Sequence, residues 1–122
     1  MSKIKNTLIN NTNVDNDLVL KKIKQVVTET LKRKGVIGSA IYVFGSRARN
    51  QFNKDSDYDI LIIVNEKLSS KNKLKIYGKI IWNLRGLFNS FDIVIKSKKD
   101  YEEEKNIIGS LIYGIKDEAI AL

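Results

Sequence analysis

The chain has 122 residues, with 22 Lys and Arg against 14 Asp and Glu and a formal charge of +8. It has no cysteine and no histidine, which excludes a disulfide scaffold, a zinc–thiolate site, a cysteine nucleophile and a Ser-His-Asp triad; chemistry must run on carboxylates, hydroxyls, lysines, arginines and backbone amides. The length suits one domain with one real core, and the charge either favours an anionic partner (nucleotide, nucleic acid or an acidic protein) or reflects a lysine-rich background spread along the chain.

Residues 1–14 are rich in Asn, Lys and Thr without a firm period and read as a loose arm or a short extra element. No signal peptide is legible there and no apolar stretch is long enough for a bilayer, so no membrane association and a cytoplasmic location are expected. Asp15, Asn16 and Asp17 offer a helix N-cap, and Val19, Ile23, Val26, Val27 and Thr30 follow at helical spacing. Lys32, Arg33 and Lys34 fill the last turn before Gly35, as the helix dipole and a left-handed cap prefer.

Ala40–Phe44 is a short apolar run of β-formers and predicts a strand, running into Gly45-Ser46. Residues 46–56 are polar and predict a turn of helix, then a loop. Tyr58–Val64 is the strongest strand in the sequence. Lys71–Phe88 predicts a long amphipathic helix with Leu74, Tyr77, Ile81, Leu84 and Phe88 on its apolar stripe. Phe91–Ile95 predicts a third strand, Asp100 with Glu103 a capping box for a short helix, residues 107–115 another helix, and residues 118–122 a closing strand. The order α-β-β-α-β-α-α implies a sheet covered by helices on at least one face. Because Tyr58–Val64 is apolar on both sides, one sheet face needs cover from the terminal segments, a partner or a second copy of the chain.

The segment from Phe44 to Ile63 carries the chemistry. Gly45-Ser46 reads either as a plain turn or as a phosphate cradle, with backbone amides and a hydroxyl at a helix start. It is not a P-loop, because the G-K-[ST] ending is absent. Asp57 and Asp59 alternate along the strand and share a face. They are either a solvated strand-initiating pair or a pair whose repulsion a divalent cation offsets. Asp92 interrupts an apolar strand and is either exposed at its start or a partner in a polar site. Taken together, a phosphate cradle and three carboxylates are the parts of a two-metal phosphoryl-transfer site, and Mg²⁺ is the natural cation for an all-oxygen donor set.

Gly45-Ser46-Arg47-Ala48-Arg49, then Ser56-Asp57-Tyr58-Asp59 and an apolar strand, resembles the signature of the nucleotidyltransferase superfamily that includes DNA polymerase β. The short length is similar to its minimal nucleotidyltransferase (MNT) branch. The resemblance implies an α/β (α+β) fold: a mixed sheet of three to four strands with helices mainly on one face, in a single domain over residues 1–122. It implies that Gly45, Ser46, Arg47, Arg49 and Ser56 serve the nucleotide. Asp57, Asp59 and Asp92 would be catalytic and hold two Mg²⁺ ions, with Asp92 possible as base for the attacking hydroxyl. Asn50 stands where the family usually has glycine, and asparagine tolerates left-handed backbone angles. The implied activity is AMP transfer from ATP to a hydroxyl, most readily a tyrosine of a HEPN-domain toxin, with this chain as antitoxin. The alternatives are a non-catalytic binding antitoxin of the same fold, and transfer to a small molecule or RNA end across a homo-oligomer.

Overall fold

The computed structural model describes Val14 and residues 16–122; the arm expected over residues 1–14 lies outside the described residues except for Val14. Helix α1 spans Leu18–Arg33. Of the three candidate caps Asp17 serves, its Oδ1 accepting from Val19 N at 2.9 Å and Leu20 N at 3.1 Å. The helix ends where Gly35 turns left-handed (φ 68°), with Val36 N donating to Leu31 O and Gly35 N to Lys32 O, a Schellman closure.

Strand β1 (Gly38–Phe44) leads into one 3₁₀ turn, Gly45–Arg47. Strand β2 is Tyr58–Val64, helix α2 Ser70–Asn83, strand β3 Phe91–Ser97, helix α3 Lys98–Glu104, helix α4 Leu111–Ile115 and strand β4 Ile120–Ala121. The four strands lie in the order β3-β2-β1-β4, with β2 parallel to β3 and β1 antiparallel to both β2 and β4. The parallel pair is possible because α2 supplies the crossover between them.

Alternation along the strands sorts the core into two layers. On one face Val43, Ile60, Ile62, Ile93 and Ile95 pack with Ile23, Val27, Ile76, Ile80 and Leu84 of α1 and the α2 region. On the other, Phe44, Leu61 and Ile63 meet Ile112 and Ile115 of α4. Full burial of each aliphatic side chain contributes about 1.5–3 kcal/mol relative to exposure. The long helices lie on one face, as expected, and the C-terminal segment covers part of the second. Every residue of β2 is buried except Asp59.

Three expectations need correction. The apolar stripe of α2 is Ile76, Ile80 and Leu84, while Leu74 is 70% exposed, and Phe88, beyond the helix end at left-handed φ 52°, is 97% exposed. Both stripes have helical spacing and share Leu84, and only packing against the sheet selects between them. The cap of α3 is Ser97, whose Oγ accepts from Asp100 N at 3.1 Å, so the helix begins before Asp100. Within residues 107–115 only α4 is helical, started by Ser110.

Candidate active site

The register of the sheet brings the acidic residues to one end of one face. Asp59 pairs with Asp92 across the parallel β2–β3 ladder and with Phe44 across β1. Directly opposed residues on neighbouring strands share a face, so Asp59 and Asp92 project to the side that carries Phe44, Leu61 and Ile63. Asp57 precedes β2 by one residue and is exposed, as is Asp92; Asp59 is partly covered.

Gly45 closes this end. Its φ is +73°, in the region that favours glycine, and a Cβ there would overlap Asp59 Oδ2 and stand 3.1 Å from Asp59 Cγ. The glycine therefore serves both the sharp exit from β1 and the space that the Asp59 carboxylate fills. Gly45 O accepts from Ala48 N and Arg49 N at 3.1 Å each, and Ser46 O accepts from Gln51 N at 3.0 Å, closing the corner. Asn50 adopts φ 58°, the left-handed conformation that the usual glycine would take.

Burial raises the Asp59 carboxyl above its ordinary range, and the charges of Asp92 and Asp57 raise it further; Arg49 acts the other way and Glu118 adds to the rise. The carboxylates thus sit close enough to oppose one another's ionisation. Among the described residues, however, no group of three or more acidic side chains is gathered tightly enough to hold a metal ion as it stands. The donors fit a hard divalent cation in kind, all being carboxylate oxygens, and the strand register sets Asp59 directly beside Asp92.

The two arginines of the corner part company. Arg47 is 7% exposed, its guanidinium 4.1 Å from the Tyr58 ring centroid and 4.4 Å from that of Phe52. It donates to Ser56 O at 3.0 Å, and its Nε is buried without a hydrogen-bond partner among the described residues. Tyr58 packs in the layer opposite Asp59, and there Arg47, expected to serve the nucleotide, braces the loop that leads to Asp57. Ser56 belongs to the same loop: its Oγ accepts from Asn53 N at 3.1 Å. Burial and the adjacent Asp17 carboxylate, which accepts the phenol hydrogen bond at 3.0 Å, push Tyr58 up to about 12.

Arg49 is exposed on the acidic side. Its Nη1 donates to Glu118 Oε2 at 2.8 Å and its Nε to Gln51 Oε1 at 3.2 Å. Sequence reading missed Glu118, which stands 69 residues from Arg49 with no local pattern to mark it. A cavity of about 430 Å³ between α1 and β1, lined by Lys24, Thr28, Lys32 and Gly38 among others, includes none of these acidic residues.

A glycine–serine corner facing carboxylates on paired strands of a mixed sheet is suited to phosphoryl transfer, where positioning and charge supply most of the catalysis. The pattern of the polymerase beta, nucleotidyltransferase family matches residues 21–118. The chain belongs to that family and is a nucleotidyltransferase. Its fold is similar to that of a proposed nucleotidyltransferase from Sulfolobus solfataricus, with TM-score 0.55 and 17% identity over 84% of this chain and 80% of that one. A toxin–antitoxin structure with AMP-PNP also aligns, with TM-score 0.43 and 21% identity over 58% of this chain and 55% of that one. No curated protein matches the chain in sequence. Among the described residues no helix is long and apolar enough to cross a membrane.

Proposed function

We propose that the protein transfers AMP from ATP to an acceptor hydroxyl, with a tyrosine of a HEPN-type toxin as the acceptor. The observation that carries the transfer site is the pairing of Asp59 with Asp92 beside a glycine whose missing Cβ leaves room for the Asp59 carboxylate. Gly45 and Ser46 offer amides and a hydroxyl to phosphate oxygens, and exposed Arg49 offers a guanidinium to the same triphosphate. Two Mg²⁺ ions held by Asp57, Asp59 and Asp92 would offset the carboxylate repulsion and supply positive charge at the triphosphate and the acceptor oxygen.

The acceptor oxygen forms a bond to the α-phosphorus as the bond from that phosphorus to the bridging β-phosphate oxygen breaks. Pyrophosphate leaves, and the hydroxyl proton passes to Asp92. The resemblance to the MNT branch supports the toxin acceptor, and the charge of +8 supports an acidic partner surface. The test is incubation with α-labelled ATP, Mg²⁺ and the product of the neighbouring gene. Label on a tyrosine of that product, lost with Asp57→Asn, is the expected result; no transfer by the intact protein, or undiminished transfer by Asp57→Asn, rejects it.

A further inference from the structure

Arg49 is the corner arginine that faces the acidic side, yet its hydrogen bonds go to Glu118 and Gln51. The backbone of Glu118 is tied to packed elements on both sides. Its amide donates to Ile115 O at 3.0 Å, Ile115 is buried against the second face, and two residues later β4 pairs with β1. The pair bridges the Gly45 corner and the C-terminal segment, with side chains 47% and 24% exposed. Glu118 also contributes to the charge felt by Asp59, so it lies within the field of the same site.

A guanidinium binds a carboxylate or a phosphate through the same planar fork, and one fork cannot serve both fully. An incoming triphosphate therefore meets an arginine whose Nη1 is engaged by Glu118 and whose Nε is engaged by Gln51, and it meets Glu118 as a further negative charge. We propose that Glu118 is a positioning residue that holds Arg49 across the mouth of the site, and that nucleotide binding transfers Arg49 from Glu118 to the triphosphate. This inference rests on the nucleotide reading given above. Because the pair is partly solvated, the exchange costs little, and Glu118 acts as a modest restraint on nucleotide affinity.

The test is Mg·ATP binding by titration calorimetry to wild type, Glu118→Gln, Arg49→Ala and the double variant, at low and high ionic strength, with melting temperatures recorded alongside. Glu118→Gln is expected to bind about two- to fivefold tighter at low salt, matching the range of an exposed ion pair. The gain shrinks at high salt and largely disappears in the Arg49→Ala background. A structural role alone would lower the melting temperature without tightening binding. Unchanged or weaker binding by a folded Glu118→Gln overturns the inference, as does an equal gain in the Arg49→Ala background; Glu118→Ala must give the same sign. If wild type binds no Mg·ATP, the nucleotide reading and this inference fall together. If wild type binds and transfers but Glu118→Gln does not tighten, only the restraint falls.

Discussion

Gly45→Ala tests the geometry of the site most directly, because the structure supplies its own control. Gly45 and Gly35 have similar left-handed angles, φ 73° and 68°, but a Cβ at Gly35 meets nothing within 4 Å, whereas one at Gly45 runs into the Asp59 carboxylate. An L side chain in this region costs about 1–2 kcal/mol, so Gly35→Ala should lose that much. At about 4 °C per kcal/mol for a chain of this size, its melting temperature falls about 4–8 °C. Gly45→Ala carries the same backbone cost and in addition must push Asp59 aside. The carboxylate is the end of a short side chain that can rotate, so the added stability loss is about 1 kcal/mol. Function suffers more: moving a reacting group by about an ångström costs on the order of 100-fold. Paired thermal melts and nucleotidyl-transfer assays on the two variants check this. Gly35→Ala should keep its transfer rate while Gly45→Ala loses it. Equal rates, or Gly45→Ala no less stable than Gly35→Ala, would refute the contact between the glycine corner and Asp59.

Asp59→Asn removes a partly buried charge and its like-charge repulsion with Asp92 and Asp57 and should raise the melting temperature of the metal-free protein by about 2–4 °C near neutral pH, while transfer is abolished. The sign follows from the raised carboxyl: the folded state holds this proton more tightly than the unfolded chain, so ionised Asp59 costs stability at neutral pH, and the advantage of Asn should fade in melts taken at falling pH as Asp59 protonates. The two corner arginines should separate by assay. Arg47→Ala loses two ring contacts and the bond to Ser56 O and should cost about 2–4 kcal/mol in denaturant unfolding, whereas Arg49→Ala should change stability by less than about 1 kcal/mol yet weaken ATP binding. Similar melts for the two variants would contradict the brace assigned to Arg47.

Much of this protein is written locally, because caps and periodic apolar runs act over a few residues. Asp17, Gly35, the apolar core of β2, the D-x-D at its start and Asp92 in β3 were all legible, and Asn50 took the left-handed angle its side chain permits. What tertiary structure decided are the choices between patterns that local rules leave equal. Two helical stripes around Leu84 satisfy the same spacing, and the sheet selected Ile76 and Ile80 over Leu74 and Tyr77. Arg47 and Arg49 stand two apart in one motif, but one entered the ring sandwich on the Tyr58 side while the other stayed with the carboxylates, since β2 sends Tyr58 and Asp59 to opposite faces. Glu118 acquired its place beside Arg49 only because α4 and β4 fold the C-terminal segment back over the second sheet face. Sequence fixes what each short segment prefers; contacts between distant segments fix which of those preferences meet, and the acidic end of this sheet is made by such contacts.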